Sequence, residues 1–168
     1  MYITVDLDEQ GYLPDAYGKF AAEADKRGWG CVRSFPFTVH EIPADAQALA
    51  WIFMDWDSIP VCGFPWIHWC AQLDGIEGAD EVAVPEDAAR LGMPGLTQGY
   101  TSAAKTEPEV GTRYVGPCPP DCDHVYTLRV VALDEACDLD APFWASSLVR
   151  RLRDRVLAEA AIDLPSRS

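Results

Sequence analysis

Three short stretches of this chain carry strand patterns, and they constrain its fold more than anything else in it. "ALAWIFM" (48–54) is an unbroken apolar run of strand length, ended by the polar "DWDS", which is the pattern of a buried strand. "FPWIHWCA" (64–71) alternates, so that Trp66, His68 and Cys70 share one face and Ile67, Trp69 and Ala71 the other. "HVYTLRVVAL" (124–133) is rich in β-branched and aromatic residues, with His124, Tyr126 and Leu128 on one face. The chain has 168 residues, 49% hydrophobic and 24% charged, enough to bury a core. Pattern and composition together predict one mainly β domain spanning residues 1–168.

The remaining segments are less regular. Residues 1–48 are rich in turn signals, "DEQGYLPDAYG" the clearest. "FAAEADKRGWG" (20–30) fits either a helical turn or irregular chain. Residues 74–114 read as a long surface excursion with one helical turn at "PEDAARLG", expected to border whatever site exists. At the carboxyl end, Asp140 and Pro142 resemble a cap and first turn. Trp144, Leu148, Leu152 and Val156 then recur every four residues, flanked by Val149 and Leu157, which predicts an amphipathic helix. Arg150, Arg151, Arg153 and Arg155 fill its solvated faces.

Charge narrows the partners. The formal net charge is -14 and the pI about 4.4, a field that repels nucleic acid and anionic membrane surfaces. The start, "MYITVDLDEQ", has neither a basic segment nor a long apolar run, and no apolar stretch reaches the roughly 20 residues of a membrane span. A cytoplasmic protein with six reduced cysteines is the expectation.

Polar groups that carry chemistry stand at the strand ends. "DWD" offers Asp55 and Asp57, "WIHW" offers His68, and "HVY" offers His124 and Tyr126. If these ends converge they form a cup with Trp66 as a wall, suited to a small anion or zwitterion: imidazole N–H groups donate to oxyanions, and a neighbouring carboxylate fixes the tautomer. The prolines at 117, 119 and 120 stiffen the loop before His124. Each piece also has a structural reading, as a core histidine, a strand-terminating aspartate or core tryptophans. Cys118-x3-Cys122-x-His124, with Asp121 or Asp123, reads as a metal clip, but no second ligand pair stands elsewhere. Cys118 as a nucleophile lacks an oxyanion motif. Neither a metal nor a cofactor is expected.

The order of these motifs resembles the phosphatidylethanolamine-binding protein family, in its bacterial and archaeal Raf-kinase-inhibitor-like branch. The likeness runs from about residue 11 to about residue 160, through "YLPDAYGKF", "SFPFTVHEIPADAQALA" (34–50), "DWDSIP" (55–60), "WIHW" (66–69), "VGPCPPDCDHVY" (115–126) and "RDRVLAEAAI" (153–162), similar to the family's closing helix. It implies an antiparallel β-sandwich-like core with short helices, including an amphipathic C-terminal one. It implies a ligand pocket of Asp55, Trp66, His68, Gly116, Pro119, His124 and Tyr126, with Asp57 and Cys118 in the supporting loop. The implied ligand is phosphate or a phospho-headgroup, and the implied role regulatory or inhibitory, with a kinase or protease target or a homodimer among the partners. An acid–base hydrolase acting on a phosphate or other ester in the same pocket is the alternative. The chain departs from the family pattern at Trp56 (proline), Pro60 (one residue late), Val125 (arginine) and Val39 (tryptophan), and in a shorter loop between Pro120 and His124.

Overall fold

The computed structural model describes residues 1–168. Along the chain come β1 (Tyr2–Thr4), β2 (Lys26–Arg27), β3 (Gly30–Cys31), β4 (Phe37–His40), β5 (Ala48–Asp55), α1 (Ile59–Cys62), β6 (Trp66–Asp74), β7 (Glu81–Val84), α2 (Ala88–Leu91), β8 (Leu96–Gln98), β9 (His124–Leu133), α3 (Ala145–Arg151) and β10 (Val156–Ser166). Five strands form the main sheet in the order β10-β9-β5-β6-β8, three form a second sheet in the order β1-β4-β7, and β2 and β3 form a small hairpin. All strand pairs are antiparallel. The fold is mainly β with short helices.

β5 shows why its sequence is apolar throughout. Leu49, Trp51 and Phe53 join Ile3, Phe37 and Val39 of the second sheet in one core cluster. Ala48, Ala50 and Ile52, on the opposite face, pack with Leu148 and Leu152 from α3 and the turn after it. A strand covered on both faces has no position for a polar side chain until it ends, and Asp55 is that end.

The C-terminal helix is shorter than its apolar period suggests. It starts at Ala145, with Trp144 rather than Asp140 in the cap position. The Phe143 carbonyl accepts the Tyr100 N–H (2.7 Å) and Trp144 stacks on Tyr100 at 4.3 Å, which keeps the segment before the helix extended. The helix ends at Arg151, and Asp154 adopts a φ of 62°. Residues 153–162, matched by sequence to a closing helix, instead lead into β10, which pairs with β9 from Val156↔Leu133 to Ser166↔His124. Without β10 that side of β9 would be an unpaired edge, and ten residue pairs outweigh a weak helical preference. Ala158, Ala160, Ile162 and Leu164 pack on the main core with the period of two that a strand needs. Pro165 is tolerated because β10 is itself an edge strand.

Two other segments differ from expectation. The turn-rich first 48 residues contribute β1 and β4 to the second sheet. The excursion at 74–114 contains the helical turn α2, but also β7, paired with β4, and β8, paired with β6. Strands this short carry too few residues for a readable alternation.

Candidate functional site

The ends of the three central strands of the main sheet meet in register. Asp55 on β5 pairs with Trp66 on β6 and with Tyr126 on β9. Above them opens a cavity of about 250 Å³. Asp55, His68, His124 and Tyr126 line it from the sheet, Trp66 and Trp29 form apolar walls, and Ser58, Val61, Cys62, Cys118 and Pro120 complete the lining. None of the lining residues comes from 74–114, because that excursion is spent on pairing with β4 and β6. Ala103 and Val110 from it pack behind Trp66 instead.

A β-bulge aims His68. Phe53 pairs with Trp69, but the next residue, Met54, pairs with Ile67, so His68 is the extra residue of β6. Simple alternation would put His68 on the face of Cys70, which packs against α3. The bulge turns it to the opposite face, beside Phe53 (5.9 Å between ring centroids) and Tyr126 (5.0 Å). Bulges commonly re-aim a side chain in this way. The main chain holds the result: the Val115 N–H donates to the His68 carbonyl and His68 Nδ1 donates to the Val115 carbonyl, both at 2.9 Å.

The polar groups at the base are buried: Asp55 is 3% exposed, His68 4% and His124 1%. Asp55 uses both oxygens. Oδ1 accepts the Ser58 N–H (3.1 Å), closing the turn into α1, and Oδ2 accepts His124 Nδ1 (2.8 Å). The second ring nitrogen of His124, Nε2, lies 3.0 Å from Asp121 Oδ1. Burial alone would lower the His124 pKa, but hydrogen bonds and charge from Asp55 and Asp121 outweigh it, and the net shift is upward. Carboxylate oxygens at both nitrogens favour the doubly protonated ring, which donates at Nδ1 and at Nε2. His68 is the opposite case. Burial lowers its pKa against the opposing pull of the Val115 carbonyl, so the ring stays neutral.

The sequence model of the phosphatidylethanolamine-binding protein family matches residues 4–166. The chain belongs to the phosphatidylethanolamine-binding protein family. It is 38% identical over 171 residues to the uncharacterised protein YxkA of Bacillus subtilis, covering 98% of this chain and 99% of that one. A UPF0098 protein of Methanothermobacter thermautotrophicus is 31% identical over 128 residues, 76% of this chain and 78% of the relative. Among solved structures, the homologue CT736 of Chlamydia trachomatis superposes with a TM-score of 0.77 at 21% identity, covering 99% of this chain and 97% of its own. YbcL of Escherichia coli gives a TM-score of 0.76 at 22% identity, covering 99% and 98%. At those identities the structural likeness speaks for the fold.

In this member of the phosphatidylethanolamine-binding protein family, six of the residues singled out from sequence line the cavity: Asp55, Trp66, His68, Cys118, His124 and Tyr126. Three stand behind it. Gly116 sits where a Cβ would collide with the Tyr17 carbonyl, so its place is set by close backbone approach. Pro119 is buried and its carbonyl accepts Lys19 Nζ at 3.0 Å; Pro120 is the proline at the cavity. Asp57 accepts the Val125 N–H at 2.8 Å, so this tie between the "DWD" loop and β9 runs through main chain and does not need the family's arginine at 125.

The sequence reading missed Trp29, Ser58, Val61, Cys62 and Pro120 in the lining, and placed Asp121 beside His124 only as part of a metal clip, not as a hydrogen-bond partner. Trp29 had a readable signal: Gly28, at φ 54°, opens the two-residue turn between β2 and β3 that presents it. Trp29 then meets Trp66 edge-on at 6.1 Å. Asp121, Cys122 and His124 bring one ligand atom each within 4.8 Å of one another, a set that could hold a metal ion, while Cys118 is not among them. Two of those three atoms, Asp121 Oδ1 and His124 Nε2, already bond each other.

Proposed function

We propose that this protein binds a small oxyanion, phosphate or a phospho-headgroup, in the cavity at the ends of β5, β6 and β9, and that binding serves a regulatory or inhibitory role toward a protein target. The observation that carries the reading is the Asp55–His124 pair. The His124 ring lines the cavity, its Nδ1 is held by the Asp55 carboxylate, its pKa is raised, and its Nε2 meets only the exposed carboxylate of Asp121, which an incoming anion could replace. In a chain of net charge -14, an anion needs such a local donor, because the overall field repels it. The family's name points to the same headgroup chemistry. Trp29, Val61 and Trp66 add apolar walls that fit a carbon substituent on the anion.

Calorimetric titration with inorganic phosphate and with phosphoethanolamine tests this. Saturable binding by the wild type that is lost in His124→Ala supports the reading. No binding of either, or equal binding by both proteins, overturns it. Turnover of phosphoesters that depends on His124 would favour the hydrolase instead.

A further inference from the structure

The two histidines of the cavity offer opposite hydrogen-bonding characters. A carbonyl oxygen can only accept, so the 2.9 Å contact to Val115 requires the proton of His68 on Nδ1. In a neutral ring, Nε2 then carries a lone pair. The Val115 contact is the only hydrogen bond of good geometry to the His68 ring, with the Gly116 carbonyl a weaker neighbour. Trp51 Nε1 is the only fully buried side-chain polar atom without a partner, so His68 Nε2 is not sealed in the core and opens onto the cavity its ring lines. The groups around it favour the neutral ring: burial dominates, the nearby His124 opposes a second positive charge, and the Val115 carbonyl, the charge of Asp55 and the Gly116 carbonyl only partly compensate. Tyr126, packed edge-on at 5.0 Å, stays a protonated phenol because burial pushes its pKa far up. His124 is the counterpart, a donor at both nitrogens, with the Asp121 carboxylate on Nε2 showing that an anionic oxygen fits there at 3.0 Å.

We propose that the cavity selects oxyanions that carry a proton: His124 Nε2–H donates to a charged ligand oxygen in the place Asp121 holds, and His68 Nε2 accepts the ligand's O–H. The proposal rests on the oxyanion reading above and adds the class of ligand. Inorganic phosphate keeps a proton throughout the neutral range, and a phosphate monoester takes one up readily. Sulfate and phosphodiesters have none to give. A fully deprotonated oxygen facing the His68 lone pair is repelled, and a buried acceptor left unpaired is costly. His68 is thus the specificity-determining residue, and the ligand is free phosphate or a monoester rather than the phosphodiester of an intact phospholipid.

The test is calorimetry at pH 6, where a monoester with a second pKa of about 6 is about half protonated, with inorganic phosphate, phosphoethanolamine, sulfate and dimethyl phosphate, on the wild type, His68→Gln and His124→Ala. Phosphate and phosphoethanolamine should bind the wild type at least about tenfold more tightly than sulfate or dimethyl phosphate. His68→Gln, whose amide both donates and accepts, should narrow that ratio to about threefold or less, and His124→Ala should lose all four. Equal wild-type affinity for phosphate and sulfate, or an unchanged ratio in His68→Gln, overturns the selection while leaving the anion site standing. Absence of binding by every ligand overturns both. Nitrogen-detected NMR of the wild-type histidines is a second measurement, independent of whether the buried substitution folds. The expected result is a neutral His68 protonated on Nδ1, whose Nε2 resonance shifts when phosphate is added. A His68 protonated on Nε2 at pH 7 overturns the proposal.

Discussion

His68 and His124 occupy one cavity and their pKa values shift in opposite directions, because burial is outweighed by two carboxylates at His124 while burial outweighs the Val115 carbonyl at His68. His124 faces two carboxylates and its pKa is raised; His68 faces a carbonyl from a buried position and its pKa is lowered. Proton NMR titration should therefore find His124 above, and His68 below, the ordinary value of about 6.5; the reverse order would contradict the hydrogen bonds described. For stability the signs follow. The contribution of His124 is fully present below about pH 6.5 and is lost as pH rises through its raised pKa. That of His68 is present above about pH 6.5 and is lost as pH falls toward its lowered pKa. Urea unfolding of wild type and His68→Gln at pH 5 and pH 7 checks the second, since the variant should lose less on acidification. His124→Ala should take phosphate binding below detection by calorimetry, a loss of at least about 1.5–3 kcal/mol, the range for a hydrogen bond to a charged group. Asp121 makes a separate case. Its side chain is 58% exposed and His124 is its only ion-pair partner. Asp121→Ala should tighten phosphate binding about two- to fivefold at pH 6, because it removes a competing carboxylate while Asp55 still holds His124 Nδ1. Weaker binding would show that Asp121 supports the anion rather than competes with it.

The elements divide into those that shape the cavity and those that cover the sheet. α3 does the second job: Leu148, at 1% exposure, packs with Ala50 and Ile52 on the outer face of β5. Leu148→Ala should cost about 2–5 kcal/mol of folding stability, while Val149→Ala, on the exposed side of the same helix, should change it by less than about 0.5 kcal/mol. Urea melts of the two variants give the comparison, and equal effects would contradict the packing. The strands β5, β6 and β9 were legible because long apolar or alternating runs state their own period. The bulge at His68 was not, because local alternation assigns that residue to the face of Cys70, and only pairing with β5 shows the extra residue. β10 illustrates a conflict of two periods. The fourfold repeat runs to Val156 and the twofold repeat starts at Ala158, and the open side of β9 draws the chain into the strand from Val156 on.

On the scale of the whole molecule, no helix is long and apolar enough to cross a membrane, and no disulfide joins the six cysteines. Their environments grade their reactivity. Cys62 and Cys122 are exposed, Cys118 is half-buried, and Cys31, Cys70 and Cys137 are buried, with burial pushing the Cys70 thiol up to about 12. A thiol reagent should titrate two groups quickly in the native protein and six after denaturation, and a total of four would reveal a disulfide. The same separation between exposed and enclosed runs through what could be read in advance. The sequence by itself determined the β class, the three central strands, the family and the side chains at the base of the cavity, because strand periodicity and motif order are written in neighbouring residues. Long-range packing settles that Trp29 meets Trp66 at the cavity, that Asp121 sits on His124, that β10 is a strand, and that His68 Nδ1 is held by the Val115 carbonyl. Those outcomes depend on pairings between segments far apart in the chain and on the burial they create, and no local pattern of residues encodes either.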